Sequence, residues 1–181
     1  MPSTRECVAS RLPHGDRRPC VLAGFGASAD LVLQLAYHQG CEVHVFTRGI
    51  AHRQLAEKLE AIWTGAADEA PPRALDAAII FPPASTLVPQ ALRHLRKSGT
   101  LALAGITITQ IPELELRLAC HEQVICSVAN STREDCRDFL RLAAEIPIQT
   151  PIHVYSLSDA NRATTDLKQC KLEAAAVLRV S

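Results

Sequence analysis

The stretch Cys20-Val-Leu-Ala-Gly24-Phe-Gly26-Ala-Ser-Ala29-Asp-Leu-Val-Leu-Gln-Leu-Ala36 is a short apolar run that breaks at two glycines and restarts with helical periodicity. It predicts a strand, a tight turn and a helix. Gly24, Gly26 and Ala29 make the pattern G-x-G-x-x-A, a dinucleotide fingerprint whose last glycine is replaced by the next smallest residue. Gly24 allows the sharp turn out of the strand, Gly26 leaves room for a pyrophosphate to approach the backbone, and Ala29 lets the helix pack close to its strand. The unpaired N–H groups at the helix start, near Ala27 and Ser28, carry partial positive charge and suit an anionic acceptor.

Working outward, the composition sets bounds. The chain has 181 residues, 48% hydrophobic, and its 19 basic residues balance 19 acidic ones, enough for one globular core. Zero formal charge and the lack of a basic stripe argue against nucleic acid as a partner, and no apolar run is long enough for a membrane span. Seven scattered cysteines without a C-x-x-C pair read as small buried hydrophobes in a reducing compartment, which points to a cytoplasmic location. Residues 1–18 lack the apolar core of a secretory signal and read as a disordered or remnant lead-in.

From the opening strand near 20–23 the chain alternates. A helix is expected over Ser28 to Gln39, with Ala29, Val32, Leu33 and Ala36 on one face, and then a strand over Glu42–Phe46. A helix over 51–60 and a short strand Ala61–Thr64 follow, then a buried strand Asp76–Phe81 stopped by Pro82-Pro83. Ser85 or Thr86 can cap a helix containing Leu87, Ala91, Leu92 and Leu95, closed by Lys97-Ser98-Gly99. Thr100–Gly105 is a fifth strand and Gln123–Ser127 a sixth, followed by a helix from Thr132 to Glu145 with Phe139, Leu140 and Ala143 inward. This is the doubly wound α/β pattern with a parallel six-stranded sheet, the Rossmann fold, over residues 19–147. Residues 148–181 read as strand, capped helix and strand, and do not extend that count: they suit an added edge unit or a piece of a second domain.

Six blocks together carry a resemblance: Leu22-Ala-Gly-Phe-Gly-Ala-Ser-Ala29, Glu42-Val-His-Val-Phe-Thr-Arg48, Leu75-Asp-Ala-Ala-Ile-Ile-Phe81, Ser98-Gly-Thr-Leu-Ala-Leu-Ala-Gly-Ile106, Ser127-Val-Ala-Asn-Ser-Thr-Arg133 and Ala175-Ala-Val-Leu-Arg179. In this order and spacing the chain resembles the cofactor-binding half of the zinc-type alcohol dehydrogenases, within the medium-chain dehydrogenase/reductase superfamily. The resemblance implies an oxidoreductase that moves a hydride between a nicotinamide and a small alcohol or aldehyde. It also implies that residues 148–181 are the segment returning to a GroES-like catalytic domain whose N-terminal part, with the family's zinc ligands, is missing, so the chain is expected to be a truncated copy.

No histidine or cysteine grouping has the spacing of a zinc site, so neither a metal site nor a catalytic residue is assigned, and the chain alone is expected to lack the electrophile for hydride transfer. A non-catalytic nucleotide-binding or oligomerisation module is the alternative. Glu60 and Ala174 depart from the family's pattern at positions where glycine is usual.

In NAD-preferring Rossmann domains a carboxylate ends the second strand; here Thr47-Arg48 stands there, and no carboxylate follows until Glu57. Arg48, aided by His52 or Arg53, can pair with a 2′-phosphate, so NADP(H) is expected over NAD(H). The resemblance adds Phe81 and Pro82 beside the adenine or ribose, Gly105 and Ile106 on the nicotinamide side, and Asn130 near the same mouth. It also implies a homodimer formed through the strand near Gln123–Ser127, an edge that needs cover.

Overall fold

The computed structural model describes residues 18–105, 110–118, 120–169, 171–172 and 175–180. Ile106, Ala174 and the lead-in 1–17 lie outside the described residues. Six strands, β1 (Pro19–Ala23), β2 (Glu42–Phe46), β3 (Trp63–Gly65), β4 (Leu75–Ile80), β5 (Leu95–Leu103) and β6 (Val124–Ser127), form one sheet in the order β3-β2-β1-β4-β5-β6. Every pairing in it is parallel. The helices are α1 (Ala27–His38), α2 (Ile50–Lys58), α3 (Leu87–His94), α4 (Arg133–Glu145) and α5 (Ala160–Lys168). This is the doubly wound Rossmann arrangement that the alternation predicts.

Strand alternation divides the core in two. On one face Leu22, Val43 and Val45 meet Phe25, Ala29 and Leu33 of the β1–α1 segment and Ala56 of α2. On the other, Val21, Ala23, Phe46, Ile80 and Leu101 meet Val88, Ala91 and Leu92 of α3. The crossover helices therefore leave β1 and β4 toward opposite faces, and the two central strands part at their C-terminal ends.

Helices α1 and α2 end in the same motif with different residues. Gly40 (φ +82°) follows α1 while the Cys41 N–H donates to the Ala36 carbonyl at 2.9 Å. Glu60 (φ +74°) follows α2 while the Ala61 N–H donates to Ala56 at 2.9 Å. Both are six-to-one closures that need a left-handed residue, and Glu60 occupies that conformation where glycine is unstrained. The departure noted at Glu60 is thus a carboxylate side chain held at positive φ.

Several expectations need correction. The helix α3 stops at His94, not at Lys97-Ser98-Gly99, and β5 begins at once with Leu95 opposite Leu75. Regular pairing resumes only at Thr100 opposite Ala77, so Arg96–Gly99 form a bulge, in which Ser98 has φ +60° and Arg96 pairs with Asp76. Local propensity missed this because the bulge is held from outside the segment: the Ser98 N–H donates to the His121 carbonyl at 2.8 Å. Neither Ser85 nor Thr86 caps α3 through its side chain, since the first N–H groups are taken by the Ala84 and Ser85 carbonyls in tight turns. Its C-terminal carbonyls instead meet Gln123 Nε2, 3.1 Å from Leu95 O and 3.3 Å from Leu92 O. No residue of α4 is fully buried: Phe139 and Ala143 are half-buried, whereas Leu140, expected inward, is 66% exposed. Cys120 and Cys136 are exposed and Cys20, Cys41 and Cys126 half-buried, so the cysteines are not uniformly core residues.

His44 also departs from the surface role that its alternating strand suggests. It is fully buried on β2 beside Trp63, with Nδ1 3.2 Å from the Glu42 carbonyl, and burial pushes its pKa below the usual histidine value despite that carbonyl. The unfolded chain takes up a proton near pH 6.5 that folded His44 resists, so stability is complete above that pH and falls as pH drops through it. Lowering pH from about 7.5 to about 5.5 is expected to lower Tm, and His44→Gln to flatten that slope; parallel slopes in thermal unfolding would refute the assignment.

Residues beyond the large sheet form a separate parallel pair, β7 (Ile152–Ser156) with β8 (Ala175–Arg179), joined through α5. The Tyr155 hydroxyl donates to Asp166 on α5 at 3.2 Å, which seats the helix on one side of the pair. The other side carries Ile152, Val154 and Val177, all exposed.

Candidate functional site

The loops that follow β1, β2, β4 and β5 lie along one edge of the sheet. Gly24 has φ +81°, a conformation natural to glycine, and its N–H donates to the Phe46 carbonyl at 2.8 Å, extending the β1–β2 ladder by one step. The Phe81 N–H donates to Ala23 at 3.0 Å, and the Ala104 N–H to Ile80 at 2.8 Å. These bonds bring Gly24, Phe81-Pro82 and Gly105 together. A Cβ at Gly24 would lie 2.4 Å from Pro82 Cδ, and one at Gly105 would lie 2.9 Å from the Pro82 carbonyl oxygen. Pro82 is thereby wedged between two glycines at the mouth of the crevice.

Gly26 behaves differently. Its backbone is extended, at φ −142° and ψ −172°, and a Cβ built there meets nothing within 4 Å. The space beside it is open, and Gly26 is the N-cap of α1 with no side chain capping the helix. Ala27 and Ser28 are exposed at this start, while Ala29 is buried against the sheet as the fingerprint requires. An uncapped 12-residue helix behind an open glycine is a cradle that fits a pyrophosphate, because its first N–H groups and the helix dipole both favour negative charge.

Within the first turn of α1, Asp30 is buried, and that burial raises its pKa while a 2.7 Å bond from Gln34 Nε2 opposes the rise. Gln34 in turn grips the chain leading into the tail: Nε2 donates to the Gln149 carbonyl at 2.8 Å, and its Oε1 accepts from the Gln149 N–H at 2.7 Å. This link between the glycine-loop helix and residue 149 was not anticipated. The available signal was a glutamine next to Leu33, four residues after Asp30, on the buried side of an otherwise apolar helix.

At the end of β2, Thr47 is buried and its N–H donates to Gly65 at 2.9 Å, whereas Arg48 is exposed. Arg53 Nε donates to the Thr47 carbonyl at 3.1 Å and its Nη2 lies 3.8 Å from Glu69. His52 packs edge-on to Phe25, with Nε2 3.3 Å from the Leu172 carbonyl. Of the three side chains expected around a 2′-phosphate, two are therefore engaged within the protein, and Arg48 makes no ion pair among the described residues. Glu57 sits toward the other end of α2 and accepts from Thr64 Oγ1 at 2.9 Å, well away from this turn.

Asn130 follows β6, three strands from β1, and its Oδ1 accepts from the Ser131 N–H at 2.9 Å as a lead into the capping box of Thr132 and Asp135. It shares the sheet edge with the other site residues but makes no hydrogen bond to any of them among the described residues. Among the described residues, no three His, Cys, Asp or Glu side chains gather closely enough to hold an ion.

Over 177 residues the chain is 42% identical to the Probable alcohol dehydrogenase AdhA of Mycobacterium tuberculosis (strain CDC 1551 / Oshkosh), covering 97% of this chain and 51% of that protein. The chain is thus similar to the cofactor-binding half of the alcohol dehydrogenases. It spans about half the length of the curated relative it matches. No protein-family model matches the chain.

Solved structures agree on the fold. Acetophenone reductase from Geotrichum candidum NBRC 4597, in complex with NAD, superposes with a TM-score of 0.80 at 17% identity over 91% of this chain and 50% of that one. CAD from Helicobacter pylori, complexed with NADP(H), superposes with a TM-score of 0.77 at 20% identity over 91% of this chain and 48% of its own.

Proposed function

We propose that the chain binds NADP(H) in preference to NAD(H) as the cofactor-binding part of an alcohol dehydrogenase-like oxidoreductase. The observation that carries this reading is the turn after β2, where exposed Arg48 stands without an ion pair among the described residues and no carboxylate follows before Glu57. The complexes of structural relatives with NAD and with NADP(H) support a nicotinamide dinucleotide in the crevice. When bound, that group supplies or takes the hydride. The chain's own residues orient it: the N–H groups of Ala27 and Ser28 receive the pyrophosphate, Thr47 and Arg48 the 2′-phosphate end, Phe81 and Pro82 flank the adenosine, and Gly105, Ile106 and Asn130 border the nicotinamide side.

Equilibrium titration with NADPH and NADH is expected to give tighter binding of NADPH, and Arg48→Ala to reduce that preference by roughly tenfold to a hundredfold, the worth of one charge-assisted hydrogen-bonded pair. Equal or tighter binding of NADH by the unaltered chain would overturn the reading.

The substrate of the whole protein is a small alcohol or aldehyde on this reading, and residues 148–181 belong to its second, catalytic part. The exposed face of Ile152, Val154 and Val177 supports that placement, since a two-stranded sheet is too small to stand alone with an uncovered apolar side. A homodimer through β6 follows from the same logic: the strand ends the sheet, and Ile125 is 39% exposed on it. Light scattering at micromolar concentration is expected to give the mass of two chains, and the mass of one chain would exclude the dimer. No helix among the described residues is long and apolar enough to cross a membrane, and five free thiols among them suit a reducing, cytoplasmic setting.

A further inference from the structure

We propose that Cys20 and Cys41, at the end of the sheet remote from the glycine loop, form a redox-active dithiol in which a hydroperoxide oxidises Cys41 and Cys20 closes the disulfide. The register places the two side chains together. Pro19 pairs with Glu42 and Cys20 with Val43, and the Glu42 N–H donates to the Arg18 carbonyl at 2.9 Å. Cys41 therefore sits level with Arg18, and Arg18 and Cys20, two residues apart, share a face. Cys20 and Cys41 are diagonal neighbours on that face, and both pack on the cluster built around Leu22, Leu33 and Val43. Both are free thiols, close enough that each shifts the pKa of the other.

The surroundings give the two sulfurs different tasks. The contact with Cys20, helped by the Arg18 guanidinium and opposed by burial and by the Asp76 carboxylate, brings the Cys41 pKa down to about 7, so a large share of Cys41 is thiolate at neutral pH. Cys20 is pushed well above the ordinary thiol value by its contact with Cys41 and by burial, and stays protonated. Cys41 is half-exposed and lies outside the strand, directly after the left-handed Gly40. A disulfide here requires the Cα atoms of this diagonal pair to close to about 4.4–6.8 Å while the Cys41 N–H is bound to the Ala36 carbonyl.

The chemistry balances in two steps. The Cys41 thiolate attacks the outer peroxide oxygen, the O–O bond breaks, and the leaving oxygen takes a proton and departs as water or an alcohol, leaving Cys41 as sulfenic acid. Cys20 sulfur then attacks the sulfenic sulfur; the S–S bond forms, the S–O bond breaks, and the departing hydroxide takes the Cys20 proton as water. Two thiols are oxidised and one peroxide is reduced.

The test treats the whole chain with hydrogen peroxide, alkylates remaining thiols and maps them by tandem mass spectrometry. The expected product joins the Cys20 and Cys41 peptides with the loss of two hydrogens, forming roughly tenfold faster than oxidation of the exposed Cys120 or Cys136. Cys20→Ser should stop at a dimedone-reactive sulfenic acid on Cys41, and Cys41→Ser should leave Cys20 fully alkylatable. Should either variant misfold, the mapping of the unaltered chain still decides. Recovery of both thiols at a dose that oxidises Cys120 or Cys136, or linkage of Cys41 to a different cysteine, would overturn the proposal.

Discussion

Gly26→Val is expected to abolish most dinucleotide binding while leaving the fold standing. The backbone at Gly26 is extended, which valine adopts readily, and the added Cβ has no protein atom within 4 Å. The cost to the protein is confined to the helix start, where valine is a poorer N-cap than glycine by about 1 kcal/mol. The cost to a ligand is larger, since the added methyls fill the space through which a pyrophosphate reaches the N–H groups of Ala27 and Ser28. Losing two hydrogen bonds to a charged group at about 1.5 kcal/mol each comes to about 3 kcal/mol, or roughly a hundredfold in Kd. Titration of NADPH alongside thermal unfolding reads both effects. Unchanged affinity in a folded variant would remove the pyrophosphate from this loop.

What the sequence made legible, and what it hid, follows from where each determinant lies. Strands β1, β2 and β4 and helices α1 and α2 are specified locally: apolar runs of the right length, glycines at turns, and small residues where helix meets strand. The same is true of the capping box that starts α4, a threonine and an aspartate three apart. The bulge at Arg96–Gly99 was not legible, because it depends on His121 and Asp76, distant in sequence, and a Lys-Ser-Gly run reads equally well as a helix stop. Burial of His44 was hidden because β2 is covered on both faces, which removes the meaning of polar alternation. Around the candidate site, the left-handed turn at Gly24 and the helix start at Gly26 were readable from spacing alone. The engagement of His52 with Leu172 and of Gln34 with Gln149 was not, since each joins residues more than a hundred positions apart.

Gly24→Ala is expected to damage the fold where Gly26→Val does not, although the two glycines are separated by a single residue of one motif. Two costs add at Gly24. An L-residue held at φ +81° costs about 1–2 kcal/mol, and a Cβ placed 2.4 Å from Pro82 Cδ and 2.8 Å from its Cγ adds the penalty of overpacking, about 1–3 kcal/mol. Pro82 has little freedom to retreat. Its carbonyl lies where a Cβ of Gly105 would come within 2.9 Å, and the Phe81 N–H is tied to Ala23. Relief therefore requires the ends of β1, β4 and β5 to move together. The sum, about 2–5 kcal/mol, corresponds to a fall in Tm of roughly 5–15 °C for a chain of this size, while Gly26→Ala should stay within about 3 °C of the unaltered chain. A Gly24→Ala variant with unchanged Tm would show that Pro82 is not packed against the first glycine, and would undo the wedge that joins the glycine loop to the two strands beside it.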